Sequence, residues 1–196
     1  MKVVAINILN SHGEFAMSTE FLQIQNDLKD AINEVTWGDE KLFKINPISK
    51  GNGVTPIRNL FINKLVPKDW LKEVRMALAK GMNPGPIDAV KNTSAGLFAV
   101  EWETGNISSS HRALNKIAVG IIQKEIIGGF LILPVREFSK YLTDRVGNYE
   151  ELAPYFPLYE NLKLEGTLGV ISITFDELDV NSPIINKGFD GNAKKL

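Results

Sequence analysis

The stretch IDAVKNTSAGLFAVEWETGNISSSHR, running from Ile87 to Arg112, decides how this chain folds. Two short apolar runs, IDAV and LFAVEWE, flank the turn-forming KNTSAG, a pattern that predicts an antiparallel hairpin. Side chains alternate faces along a strand, so Leu97, Ala99, Glu101 and Glu103 share one side, and Phe98, Val100, Trp102 and Thr104 the other. A buried strand therefore ends with two like charges on the same side, which requires water, a basic partner or a cation. Helix-starting residues follow at once. The serines of NISSS predict an N-cap, Leu114, Ile117, Ala118 and Ile121 an apolar stripe, and Gly128-Gly129 a stop. FLILPV then reads as a short buried strand. Strands and helices intermix in this way along the chain, which predicts an α/β fold or mixed-sheet sandwich.

Outward from this centre, MKVVAINILN predicts a first strand, and Phe21, Ile24, Leu28, Ala31, Ile32 and Val35 recur at helical spacing over 19–35. The segment 38–56 is loop with one short strand near Phe43, and helices are predicted over Arg58–Leu65 and from Pro67–Asp69 to Lys80. GMNPGPID breaks that helix and delivers Asp88 to the start of a strand. Beyond FLILPV come a short helix at Arg136–Leu142, a polar TDRVGN loop, the proline-broken ELAPYFPLYENL, a last strand TLGVISITF and an irregular tail over 176–196. No repeat or linker divides the chain, so a single domain over 1–196 is expected.

Composition narrows the chemistry. The chain has 196 residues, two histidines, no cysteine and a formal charge of −1, which excludes disulfide frameworks, thiol nucleophiles and thiolate zinc. Two histidines also leave little room for a Ser-His-Asp hydrolase or a His-rich metal site. Near-neutral charge speaks mildly against a nucleic-acid binder, and no segment has 18 consecutive apolar residues to cross a bilayer.

If the hairpin pairs, Asp88, Glu101 and Glu103 meet at one sheet edge, an oxygen-rich cluster suited to a hard divalent cation, above all Mg²⁺. The matching chemistry is metal-assisted hydrolysis at a phosphate. Solvated glutamates at a strand end are the plainer alternative, and a glycosidase carboxylate pair is a weaker one. NISSSHR sets Asn106, Ser108, Ser109, Ser110, His111 and Arg112 at a helix N-terminus, where anions are favoured and where Asn and Arg can read base edges. Asp144 beside Arg145 reads either as a surface ion pair or as a second base-reading pair.

Five segments together, NGVTPI (52–57), GPID (85–88), EWETGNISSSHRALNK (101–116), YLTDRVGNYEELAPYF (141–156) and PIINKGFDG (183–191), resemble the BamHI type II restriction endonuclease family. The resemblance runs in order from Asn52 to Gly191, and the first 50 residues match poorly. It implies an α/β fold with a central mixed sheet flanked by helices, related to the PD-(D/E)xK nucleases, with Glu103 where the wider group has lysine. It implies that Asp88, Glu101 and the backbone carbonyl of Trp102 bind Mg²⁺, with Ca²⁺ supporting binding but not cleavage, and that Glu103 stands by the attacking water. Glu73 is the best match to an upstream catalytic glutamate, with Asp69 next. Asn106, Ser108, Arg112, Asp144 and Arg145 match residues that read a GGATCC-type palindrome in double-stranded DNA. Lys116 and Arg58 match phosphate neighbours, and Gly188, Asp190 and Gly191 lie in a tail that approaches the minor groove, where Phe189 replaces a small polar residue. The family's long basic C-terminal helix has no counterpart.

The resemblance further implies a homodimer built on Ser109–Ile126 and Arg136–Leu142, 5′-phosphate products and a bacterial cytoplasmic location. A structure-specific nuclease of repair or recombination, and a dimeric DNA-binding protein without catalysis, are the competing functions.

Overall fold

The structure, a computed structural model, describes residues 1–78, 81, 85–143 and 145–187. Its centre is a six-stranded mixed sheet in the order β1-β7-β6-β5-β4-β3. The strands are β1 (Lys2–Ser11), β3 (Trp70–Val74), β4 (Ile87–Thr93), β5 (Gly96–Trp102), β6 (Gly128–Pro134) and β7 (Thr167–Thr174). β5, β6 and β7 are parallel, whereas β3, β4 and β1 each join antiparallel. The expected hairpin is β4–β5, turned by Ser94 and Ala95 alone, with Thr93 opposite Gly96; KNT belongs to the strand.

Three longer helices cover the sheet: α1 (Thr19–Asn33), α2 (Thr55–Leu65) and α3 (Ile107–Ile122). The period-two pattern sorts β5 and β6 between two cores. Phe98, Val100, Trp102, Phe130 and Ile132 pack with α1 and α2, while Ala99, Leu131 and Leu133 pack with Leu114, Ile117 and Ile121 of α3. β6 is buried throughout because helices lie on both of its faces. α1 takes its N-cap from Ser18, whose hydroxyl accepts the Phe21 N–H at 3.1 Å.

Three expectations change. The helix predicted from Pro67–Asp69 to Lys80 is instead edge strand β3, after a short 3-10 turn at Val66–Lys68. Asp69 takes a left-handed φ of 63°, which ends the helix, and the strand pairs with β4 from Trp70↔Lys91 to Val74↔Ile87. The helical spacing of Trp70, Val74 and Leu78 is accidental, because Trp70 enters one core and Val74 and Leu78 join the other. Second, Gly128-Gly129 does not stop α3, which ends at Ile122; it opens β6. A Cβ on Gly129 would lie 2.8 Å from the Ala99 carbonyl oxygen and 2.8 Å from Ile117, so glycine is required where α3 crosses the strand.

Third, the tail begins with order: β8 (Glu177–Leu178) pairs in parallel with β2 (Lys44–Ile45), near the predicted Phe43 strand. The Arg136–Leu142 helix is shorter, α4 at Arg136–Ser139, and ELAPYFPLYENL winds as α5 (Tyr149–Leu152), a 3-10 turn and α6 (Phe156–Glu160). No helix among the described residues is long and apolar enough to cross a membrane.

Candidate active site

The hairpin register, Ala89 opposite Val100, sets Asp88 across from Glu101 one step further on. The backbone N–H of Trp102 donates to Asp88 Oδ2 at 2.7 Å, drawing the Trp102 peptide to that carboxylate, while its indole packs on Phe61 at 4.8 Å on the far face. α2 and α3 each bring one cation from opposite sides. Arg58 donates through Nε to Asp88 Oδ1 at 2.8 Å and through Nη1 to Glu73 at 3.3 Å. Lys116, buried on α3, forms an ion pair with Glu101. Glu73 thus reaches the site only through Arg58, from an exposed position on β3 with a φ of 53°.

Glu103 lies just past β5, its N–H donating to the Ile132 carbonyl at 2.8 Å. Its Oε1 accepts the Gly105 N–H at 2.5 Å, and its Oε2 is buried with no hydrogen-bond partner among the described residues. Burial pushes the Glu103 carboxyl up to about 7, against the nearby Ser110 hydroxyl, the Gly105 and Thr104 amides and the Arg112 charge. Burial also raises Glu101 to about 7, with facing Asp88 adding to the shift and Lys116 opposing it. Both glutamates are therefore poised to hold or release a proton near neutrality.

The expected meeting of three carboxylates is corrected in one respect. Among the described residues no cluster of three acidic or histidine side chains is close enough to hold a metal ion. Asp88 and Glu101 form a pair, and Glu103 is turned onto its own loop. The repulsion implied by the sequence is answered locally, by Lys116 at Glu101 and by Arg112 near Glu103. Two facing carboxylates, Asp88 and Glu101, remain hard-oxygen donors of the kind that suit a divalent cation.

The residues after Glu103 form an exposed rim. Asn106, rather than a serine, caps α3, its Oδ1 accepting the Ser109 N–H at 3.2 Å. Ser108 and Arg112 are exposed, with Arg112 Nη2 at 3.3 Å from the Ser109 hydroxyl. Arg145 is exposed at a left-handed φ of 64°, and Gly147 N–H donates to the Gly105 carbonyl at 2.8 Å, joining its loop to the same rim. Asp144, Gly188, Phe189, Asp190 and Gly191 lie outside the described residues. Ser110, named with the helix N-terminus, is instead fully buried near Glu103; its place four residues before Leu114 on the apolar stripe was the available signal. Sequence reading overlooked Asn52, although NGVTPI was singled out.

The proposed dimer faces need revision. Phe138 and Leu142 are buried in the chain's own core, as is the stripe of α3. Exposed here are Ile122 at the end of α3, and Tyr155 and Leu158 on elements held to α3 by the His111–Tyr155 ring contact at 4.5 Å and by Tyr159 Oη donating to Asn115 at 3.1 Å.

Comparison with known proteins agrees with this geometry. The chain matches the family model described as restriction endonuclease BamHI over residues 1–192, so the likeness extends through the first 50 residues. It is 45% identical over 195 residues to the type II restriction enzyme OkrAI of Oceanobacter kriegii, covering 98% of this chain and 99% of that protein. It is 36% identical over 182 residues to the type II restriction enzyme BamHI of Bacillus amyloliquefaciens, covering 88% and 84%. In fold it resembles restriction endonuclease BglII bound to a DNA 16-mer, with a TM-score of 0.61 at 13% identity over 90% of this chain and 79% of that one. Free BglII gives 0.51 at 12% identity, over 88% and 81%. The chain belongs to the BamHI family of type II restriction endonucleases.

Proposed function

We propose that the chain is a divalent-cation-dependent endonuclease that cuts double-stranded DNA at a GGATCC-type palindrome, acting as one domain in a homodimer. The observation that carries this reading is the Asp88–Glu101 pair across β4 and β5, bracketed by Arg58 and Lys116 and followed directly by the Asn106–Arg112 rim. A Mg²⁺ ion held by Asp88, Glu101 and the Trp102 carbonyl would supply neutralisation of phosphate charge and a lower pKa for water. Glu103, with one carboxylate oxygen unpartnered and its pKa near neutrality, takes the proton of the attacking water. Lys116 and Arg58 offset charge on the scissile phosphate, and Glu73 holds Arg58 in place. In-line attack breaks the P–O3′ bond and leaves a 5′-phosphate and a 3′-hydroxyl.

Asn106, Ser108, Arg112, Asp144 and Arg145 are assigned to base edges in the major groove, and Gly188, Asp190 and Gly191 to the minor-groove side. A palindrome requires a twofold partner, and exposed Ile122, Tyr155 and Leu158 offer the apolar surface for it. Ca²⁺ is taken to support binding without cleavage, and the host compartment to be the bacterial cytoplasm.

The test is a digest of plasmid carrying one GGATCC, in Mg²⁺, in Ca²⁺ and in EDTA. A single cut at that site in Mg²⁺ alone is expected. Discrete cutting elsewhere would keep the chemistry and discard the base assignments, and branch-specific cutting would make it a structure-specific nuclease. A Ca²⁺-supported gel shift without cutting would make it a DNA-binding protein.

A further inference from the structure

The NGVTPI segment contributes Arg58 only after its last residue, yet its first residue is bonded through every polar atom it has. Asn52 is 0% exposed. Its Nδ2 donates to the Asn46 and Tyr141 carbonyls, both at 2.9 Å, and its Oδ1 accepts the Ile185 N–H at 3.2 Å. Its backbone N–H donates to Tyr141 O at 3.0 Å, and its carbonyl accepts the Thr143 N–H at 2.7 Å. Two carbonyls and one N–H around the carboxamide leave a single orientation for it.

These bonds join three segments distant in sequence. The first is the loop around Asn46–Gly53, which leads into α2. The second is Tyr141–Thr143, which leads into the Arg145 loop. The third is the C-terminal segment at Ile185, held again by Gly53 N–H donating to Ile185 O at 2.8 Å. A Cβ on Gly53 would lie 2.1 Å from the Asn186 carbonyl oxygen, so the two backbones run in direct contact. Arg145 itself is exposed between two anchors, Thr143 on Asn52 and Gly147 on Gly105.

We propose that Asn52 is a positioning residue for sequence discrimination. Its carboxamide ties Tyr141 and Ile185, and its backbone carbonyl ties Thr143, so that the Arg145 loop and the C-terminal segment are held in register with the acids at the end of β5. The inference rests on the assignment of Arg145 to base reading. Asn52→Asp keeps the side-chain shape but replaces the two N–H donors with an oxygen facing the Asn46 and Tyr141 carbonyls. It therefore breaks the side-chain bonds to Asn46 and Tyr141 and loosens the approach to the Arg145 loop, while the backbone bond to Thr143 and the acids Asp88, Glu101 and Glu103 are untouched.

The experiment compares kcat/KM for the cleaved site and for single-base-pair variants of it, using the full chain, Asn52→Asp, Arg145→Ala and the double variant. Asn52→Asp is expected to lower the cognate-to-variant ratio about tenfold, chiefly through KM on the cognate site. The double variant should lose no more discrimination than Arg145→Ala alone, because the two act through one contact. A fall in stability and active fraction with an unchanged ratio would overturn the proposal, as would full additivity with Arg145→Ala. If Arg145→Ala itself leaves the ratio intact, the base-reading assignment fails and this inference with it; if only Asn52→Asp leaves it intact, this inference alone fails. Should Asn52→Asp not fold, amide exchange of the unaltered protein decides. An Ile185 amide, the one held by the carboxamide oxygen, protected about 100-fold more than that of Arg145 supports the anchor, and equal exchange overturns it.

Discussion

Glu103 shows how much a single side chain owes to its neighbours. It ends an otherwise apolar strand, accepts a backbone N–H with one oxygen and leaves the other buried and unpartnered, so burial sets its carboxyl to about 7. Glu103→Lys removes the proposed proton acceptor and replaces a carboxylate with an ammonium. Cleavage is expected to be abolished while affinity for the cognate duplex holds or rises, which a gel shift in Ca²⁺ measures; loss of specific binding would count against the assignment. Arg145, exposed on a loop tied at both ends, is expected to act on specificity. Arg145→Ala should reduce discrimination between cognate and altered sites by about 1–3 kcal/mol. A uniform loss on every sequence would make it a phosphate contact instead.

At the scale of elements, the edge strand β3 depends on one buried charge. Asp27 of α1 accepts from Lys91 Nζ at 2.7 Å, Trp70 Nε1 at 3.1 Å and Gln23 at 2.8 Å, and Lys91 also donates to the Lys68 carbonyl. Burial alone would raise the Asp27 pKa, but these bonds outweigh it and hold it below the usual aspartate range. Asp27→Ala leaves Lys91 without its counter-charge and is expected to cost about 3 kcal/mol in chemical denaturation. The strand could not be read from its own residues. Trp70, Val74 and Leu78 imitate helical spacing, and only pairing with β4 and the left-handed Asp69 decide otherwise. The double glycine misled for a related reason. It looks like a helix stop but serves the close crossing of α3 over β6.

For the molecule as a whole, the two raised glutamates predict a pH dependence. Their ordinary pKa is 4.5 and their folded value about 7, so between those limits the native state holds more protons than the unfolded chain. Stability in EDTA should therefore fall as pH rises through that window, as followed by thermal midpoints. Added Ca²⁺ should flatten the fall. Assembly gives a second prediction: Leu158, 61% exposed beside α3, is expected to lie in the twofold contact. Leu158→Asp should shift the protein towards monomer in sedimentation and reduce cleavage in parallel; an unchanged dimer would place the contact elsewhere.

Period-two alternation in Leu97–Trp102 and helical spacing in 19–35 and 107–122 were sufficient to determine the hairpin, two helices and the division of two cores. These patterns are local, because each residue's face follows from its own backbone. The residue types of the candidate site, Asp88, Glu101, Glu103 and the Asn106–Arg112 rim, stand together in the sequence, and the family was legible from the motifs that carry the resemblance. What depended on contacts between distant segments was not. Register set Asp88 against Glu101, helix packing brought Arg58 and Lys116 to them, and a turn drew Glu103 away from the pair. Only the tertiary structure placed Asn52 where three chain segments meet, because a buried carboxamide is recognisable by its partners, and those lie 6, 89 and 133 residues away.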